Sequence, residues 1–94
     1  MLTATCRFET PNGAKYMHQL CKHFAHKVTV EFDDTTARAD LPPGPAHMRS
    51  DSSGLDVEVT AQDDVGLTRA KFIIEDHLMR FAFREDPKGL TWST

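Results

Sequence analysis

An α+β domain, with an antiparallel sheet and two helices packed on one of its faces, is predicted by three observations. Apolar and polar residues alternate with period two in five short stretches, the pattern of half-buried strands. Two longer stretches instead repeat apolar residues at helical spacing. Four of the strands follow one another with short connections, which suits antiparallel pairing.

Taken in order, Leu2, Ala4, Cys6 and Phe8 alternate with Thr3, Thr5 and Arg7 in a first strand. Thr10-Pro11 supplies a hydroxyl cap and then proline at the first helical position. Ala14, Met17, Leu20, Cys21, Phe24 and Val28 recur at helical spacing, which predicts an amphipathic helix over about Pro11 to His26. Val28, Val30 and Phe32 form a second strand, Asp33-Asp34 a turn, and Ala37, Ala39 and Leu41 a third strand. Pro42-Pro43-Gly44-Pro45 interrupts the chain before a weaker fourth strand, Ala46 to Arg49. Ser50 to Gly54 reads as a loop, and Leu55, Val57 and Val59 as a clear fifth strand. Asp63-Asp64 opens a long helix reaching about Phe83, with carboxylates at its start and Arg80 and Arg84 at its end, as the helix dipole favours. After the turn Pro87-Lys88-Gly89, Leu90-Thr91-Trp92 is expected as a short closing strand. The order β-α-β-β-β-β-α is that of the TATA-binding-protein-like folds, an analogy that concerns the fold alone.

The chain of 94 residues suits one domain spanning 1–94, with one core. Hydrophobic residues make up 39% and charged residues 27%, a composition that excludes the disordered and membrane classes. No apolar run approaches the roughly 20 residues of a spanning helix, and the start Met1 to Arg7 lacks the apolar stretch of a signal peptide. A cytoplasmic location is therefore expected, with no membrane partner. A net charge of −3 argues against a nucleic-acid partner. Cys6 and Cys21 form no CxxC pair and read as buried apolar residues.

Four features bear on function. Charge is segregated: Thr10 to Val30 contains no Asp or Glu but holds Lys15, His18, Lys22, His23, His26 and Lys27. Lys15, His18, Lys22 and His26 share one side of the first helix, opposite Leu20 and Phe24, with His23 and Lys27 at its margin. Such a face suits a carboxylate, a phosphate or an acidic protein. Secondly, His23 and His26 stand three residues apart, as some metal ligands do, yet no third and fourth ligand is fixed beside them, so neither a metal nor another cofactor is assigned. Thirdly, the long helix carries two apolar stripes. Leu67, Ala70, Ile74, Leu78 and Phe81 face the core, while Val65, Phe72, Met79 and Phe83 lie roughly opposite and predict burial against a partner, with a homodimer as the commonest form. The alternative is that Trp92 and the C-terminal segment cover them. Fourthly, Arg80 and Arg84 near His77 could clamp an anion, or they serve the helix end and pair with Asp76 and Glu85. No glycine-rich phosphate loop or nucleophile elbow is present, and no catalytic residue is assigned. An enzymatic reading would require His23, His26 and a carboxylate such as Glu31 to converge.

The segments Gln19 to Val28 with Glu31-Phe32, and His77 to Glu85, resemble the bacterial domain-of-unknown-function family 2218. The resemblance covers nearly the whole chain, departing at Pro42 to Pro45. It implies a small protein found alone or joined to siderophore-interacting flavoproteins. The expected function is then a non-enzymatic accessory or binding domain for iron-siderophore utilisation. Its partner would be an anionic small molecule or such a flavoprotein, held at the basic helix face with Arg80 and Arg84.

Overall fold

Alternation along the strands sorts the sheet into a covered face and an open one. The computed structural model describes residues 1–93. Its strands are β1 (Leu2–Glu9), β2 (Val30–Phe32), β3 (Thr36–Leu41), β4 (Gly44–Asp51) and β5 (Gly54–Ala61), and its helices are α1 (Gly13–Phe24) and α2 (Asp64–Phe81). They form a single five-stranded sheet in the order β1-β5-β4-β3-β2, with every pair antiparallel. The predicted element order holds, and β1 lies at the sheet edge beside β5.

Ala4, Cys6, Ala37, Ala39, Ala46, Met48, Val57 and Val59 all point to the covered face. There they meet Met17, Leu20, Cys21 and Phe24 of α1 and Leu67, Ala70, Ile74 and Leu78 of α2. Truncating one of the fully buried side chains among these would cost about 2–5 kcal/mol. Small residues on β3 and β4 let α1 lie close to the sheet. The closest approach is at Gly13, where a Cβ would sit 2.4 Å from the Gly54 carbonyl oxygen. Both cysteines are buried and unpaired. Burial, with Glu75 and Asp56 adding to it, pushes the Cys6 thiol up to about 12, and burial alone pushes Cys21 up to about 11.

Several boundaries differ from expectation. α1 begins at Gly13 behind Asn12, not at Pro11 behind Thr10; the Thr10 hydroxyl accepts from the Asn12 backbone N–H at 3.1 Å in the turn ahead of the helix and donates to Glu85. It ends at Phe24, and Ala25 to Lys27 form a turn in which Lys27 and Val28 both donate to the Phe24 carbonyl. That turn holds Val28 back from the sheet, so β2 is only three residues long. Pro42-Pro43 does not weaken the fourth strand. It forms a two-residue turn with Leu41 opposite Gly44, where no backbone donor is needed, and β4 runs a full eight residues. α2 stops at Phe81 and yields to a 3-10 turn, Phe83–Glu85. The closing strand reduces to one bridge, in which Ser93 and Thr5 exchange backbone hydrogen bonds of 2.8 Å along the outer edge of β1. None of the helices is long and apolar enough to cross a membrane among the described residues.

Candidate functional site

The absence of acids from α1 has a direct structural consequence: its cations meet solvent rather than carboxylates. Lys15, Lys22, His26 and Lys27 are exposed, and none forms an ion pair among the described residues. The predicted array does not act as one surface, however. Lys15 lies toward the start of α1, where it helps to hold the Glu85 carboxyl below its usual range. His18 turns to the β2–β3 turn. Its Nε2 is 3.2 Å from the Asp33 carbonyl oxygen, and its ring lies 5.3 Å from that of Phe32.

The cations that gather do so at the other end of α1, against α2. The His23 ring lies 4.4 Å from that of His77, tilted by 44°, and meets Phe24 and Phe81 edge-on. His77 Nδ1 is 2.6 Å from the Ile73 carbonyl oxygen, so that nitrogen carries the proton and donates. Burial chiefly, then the nearby His77, His26, Lys27 and Arg80, pull His23 below the ordinary imidazole value. His26 and Lys27 thus lie beside the paired imidazoles, with Arg80 on the facing helix and the exposed Lys22 adjacent in sequence. Arg80 also pairs with Asp76 at 3.2 Å across one turn, in an exposed contact of small energetic weight. Arg84 falls outside the cluster, in the 3-10 turn, where its guanidinium lies over the Phe83 ring at 5.7 Å. Its expected partner Glu85 faces away from it.

Glu85 marks a site that sequence reasoning missed. Its carboxylate accepts hydrogen bonds from the Thr10 hydroxyl at 2.7 Å, from Asn12 Nδ2 at 3.0 Å and from the Tyr16 hydroxyl. α1 has no acid in its first turn and no side-chain cap of its own. Glu85 supplies the negative charge that this helix end favours. The Tyr16 and Asn12 donors in turn hold Glu85 below the usual carboxylate range. No local sequence signal announces the contact, because 69 to 75 residues separate the partners.

A hollow of about 1010 Å³ lies on the other side of the molecule, on the open face of the sheet. Its two ion-paired arginines are Arg7, which reaches Glu9, Asp51 and Asp56 at 3.0–3.1 Å, and Arg38, which reaches Asp40 at 3.1 Å. The lining mixes both signs, with Glu31 and Glu58 beside Arg49 and His47, so it presents no surface of one charge to a ligand. Glu31 lines this hollow opposite Arg38, across the sheet from His23 and His26, so the three groups of the enzymatic reading do not converge. Among the described residues no group of three His, Cys, Asp or Glu side chains could hold a metal ion.

The second stripe of α2 faces solvent. Val65, Phe72 and Phe83 are 74, 67 and 66% exposed, whereas Met79 is partly buried against the core. The C-terminal segment does not cover them. Leu90 N and Trp92 Nε1 both reach Glu75 Oε1, at 3.3 Å, on the flank of the helix.

Comparison with known proteins agrees with this architecture. The NMR structure of PA4090 from Pseudomonas aeruginosa superposes with a TM-score of 0.82 at 25% identity, over 99% of this chain and 96% of that one. No curated protein matches. Residues 5–93 match the family described as uncharacterized protein conserved in bacteria, DUF2218, and the chain belongs to that family.

Proposed function

We propose that this member of the family is a non-enzymatic binding domain that takes an anionic ligand at the cationic end of α1. The carrying observation is that His26, Lys27 and Arg80 stand close enough to His23, itself against His77, to disfavour its charged form, with the exposed Lys22 next to it in sequence and no carboxylate bonded to either lysine. In a chain of net charge −3, such a patch is a local reversal of sign that attracts anions. His23, whose pKa is depressed, gains its charge only below the ordinary imidazole value, so binding strengthens as pH falls beneath it. Ferric chelates are the first anions to test, because chains of this kind are tied to siderophore-interacting flavoproteins by the resemblance described above. A role as an accessory in iron use, alone or beside such a flavoprotein, follows from that reading. The buried, unpaired cysteines suit the reducing cytoplasm.

Calorimetric titration of ferric citrate into the wild type and into Lys22→Glu/Lys27→Glu tests the site. The double variant is expected to bind at least about tenfold more weakly, and added salt to weaken the wild type. Equal affinity in both proteins, or no binding in either, defeats the proposal. Iron-free citrate and inorganic phosphate, titrated alongside, tell whether the chelate or only its charge is recognised.

A further inference from the structure

The outward ridge of α2 takes no part in the sites described so far. Val65, Phe72 and Met79 stand seven residues apart, so they fall on one line along the helix, the spacing of a helix-pairing seam. The core-facing residues Leu67, Ala70, Ile74 and Leu78 occupy the opposite side. Phe72 and Met79 border a shallow hollow of about 360 Å³ with Glu75, Asp76 and Arg80. Charge flanks the line asymmetrically, with Arg69 before Phe72 and Asp76 after it. Arg69 is exposed and has no ion-pair partner among the described residues.

We propose that α2 pairs antiparallel with α2 of a second copy, about a two-fold axis at Phe72. The charge order selects that direction. In the antiparallel arrangement Phe72 meets its own symmetry mate, Val65 meets the partner's Met79, and Arg69 meets the partner's Asp76, the last two contacts each occurring twice. A parallel pair would instead set Arg69 beside the partner's Thr68, with no ion pair between them, and Asp76 beside the partner's Glu75, a clash of like charges. The exposed Phe83 extends the ridge beyond the end of α2. A seam one residue wide buries little area, so the dimer belongs with the small, weak interfaces.

Analytical ultracentrifugation from about 1 μM to 1 mM reads the equilibrium directly. The wild type is expected to pass from monomer to dimer across that range. Phe72→Glu alters an exposed side chain, so circular dichroism should show an unchanged fold, while the dimer dissociation constant rises at least about tenfold. Arg69→Asp should weaken the dimer about three- to tenfold, and Arg69→Asp/Asp76→Arg should restore it. A wild type that stays monomeric throughout overturns the proposal. So does a dimer untouched by Phe72→Glu, or a double variant no tighter than Arg69→Asp.

Discussion

The open face of the sheet and the end of α1 are both dense in charge, and they handle it in opposite ways. On the sheet the strands place acids and bases in register: Arg7 lies opposite Asp56, His47 opposite Glu58, and Arg38 opposite Glu31. Arg7 alone gathers three carboxylates and the Ser53 hydroxyl. On α1 the positive residues have no acidic neighbours in sequence and point away from the strands. Charge of both signs is therefore interleaved on the sheet, and Arg7 and Arg38 are spent within the fold, whereas the charge on α1 is of one sign. Abundance of charged residues does not locate a site, but segregation of one sign does.

The most damaging way to break this comparison is at the opposite end of α1, where the helix is seated on the sheet. Gly13 of α1 rests on the Gly54 carbonyl oxygen, and a Cβ at Gly54 would lie 2.8 Å from the Arg7 guanidinium carbon. Gly13→Ala should push the helix off the strand and destabilise the protein by about 1–3 kcal/mol in denaturant unfolding, disturbing both regions together. A neutral result would mean that α1 is not seated as described.

A pair of charge removals sharpens the contrast with a smaller effect. Arg7→Ala should lower the thermal midpoint, since it strands the Asp51 carboxylate that Arg7 holds well below the usual range. Lys22→Ala should leave the midpoint unchanged, because no partner is lost. If the two variants shift it equally, the division between structural and available charge fails.

The smallest effect concerns His23. Its folded pKa is depressed, so the folded state holds fewer protons than the unfolded chain. The associated stability is full above the unfolded imidazole value of about 6.5 and is lost as pH falls from there toward the lower folded value. Thermal scans on either side of about pH 6.5 should show a shallower decline for His23→Gln than for the wild type. Identical slopes would remove His23 from the cationic cluster.

Much of the fold was legible because period-two and helical spacing survive in local sequence. Leu2 to Phe8, Ala37 to Leu41 and Leu55 to Val59 became strands for that reason. The errors sit where distant contacts override local preference. Thr10 carries a capping residue's chemistry, yet its hydroxyl accepts from Asn12 in the turn before the helix and donates to the distant Glu85. Pro42-Pro43 looks like an interruption, yet it closes a hairpin. For the site, segregation of charge was visible in the residues themselves, but its partition was not. Nothing near His18 reports that it turns to Asp33, and nothing near His23 reports that His77 lies beside it. The exposed ridge of Val65 and Phe72 was predicted from spacing alone.

The carboxylate that steadies the start of α1 comes from the far end of the chain. A ribosome must therefore add some 69 further residues after Tyr16 before that helix can be finished. Until Glu85 emerges, the first turn of α1 has no anion to settle against, and the N-terminal half waits on the C-terminal half. Cleavage between Ala82 and Glu85 would be felt first not at the cut but at Thr10, Asn12 and Tyr16, by loosening the turn that begins the cationic helix.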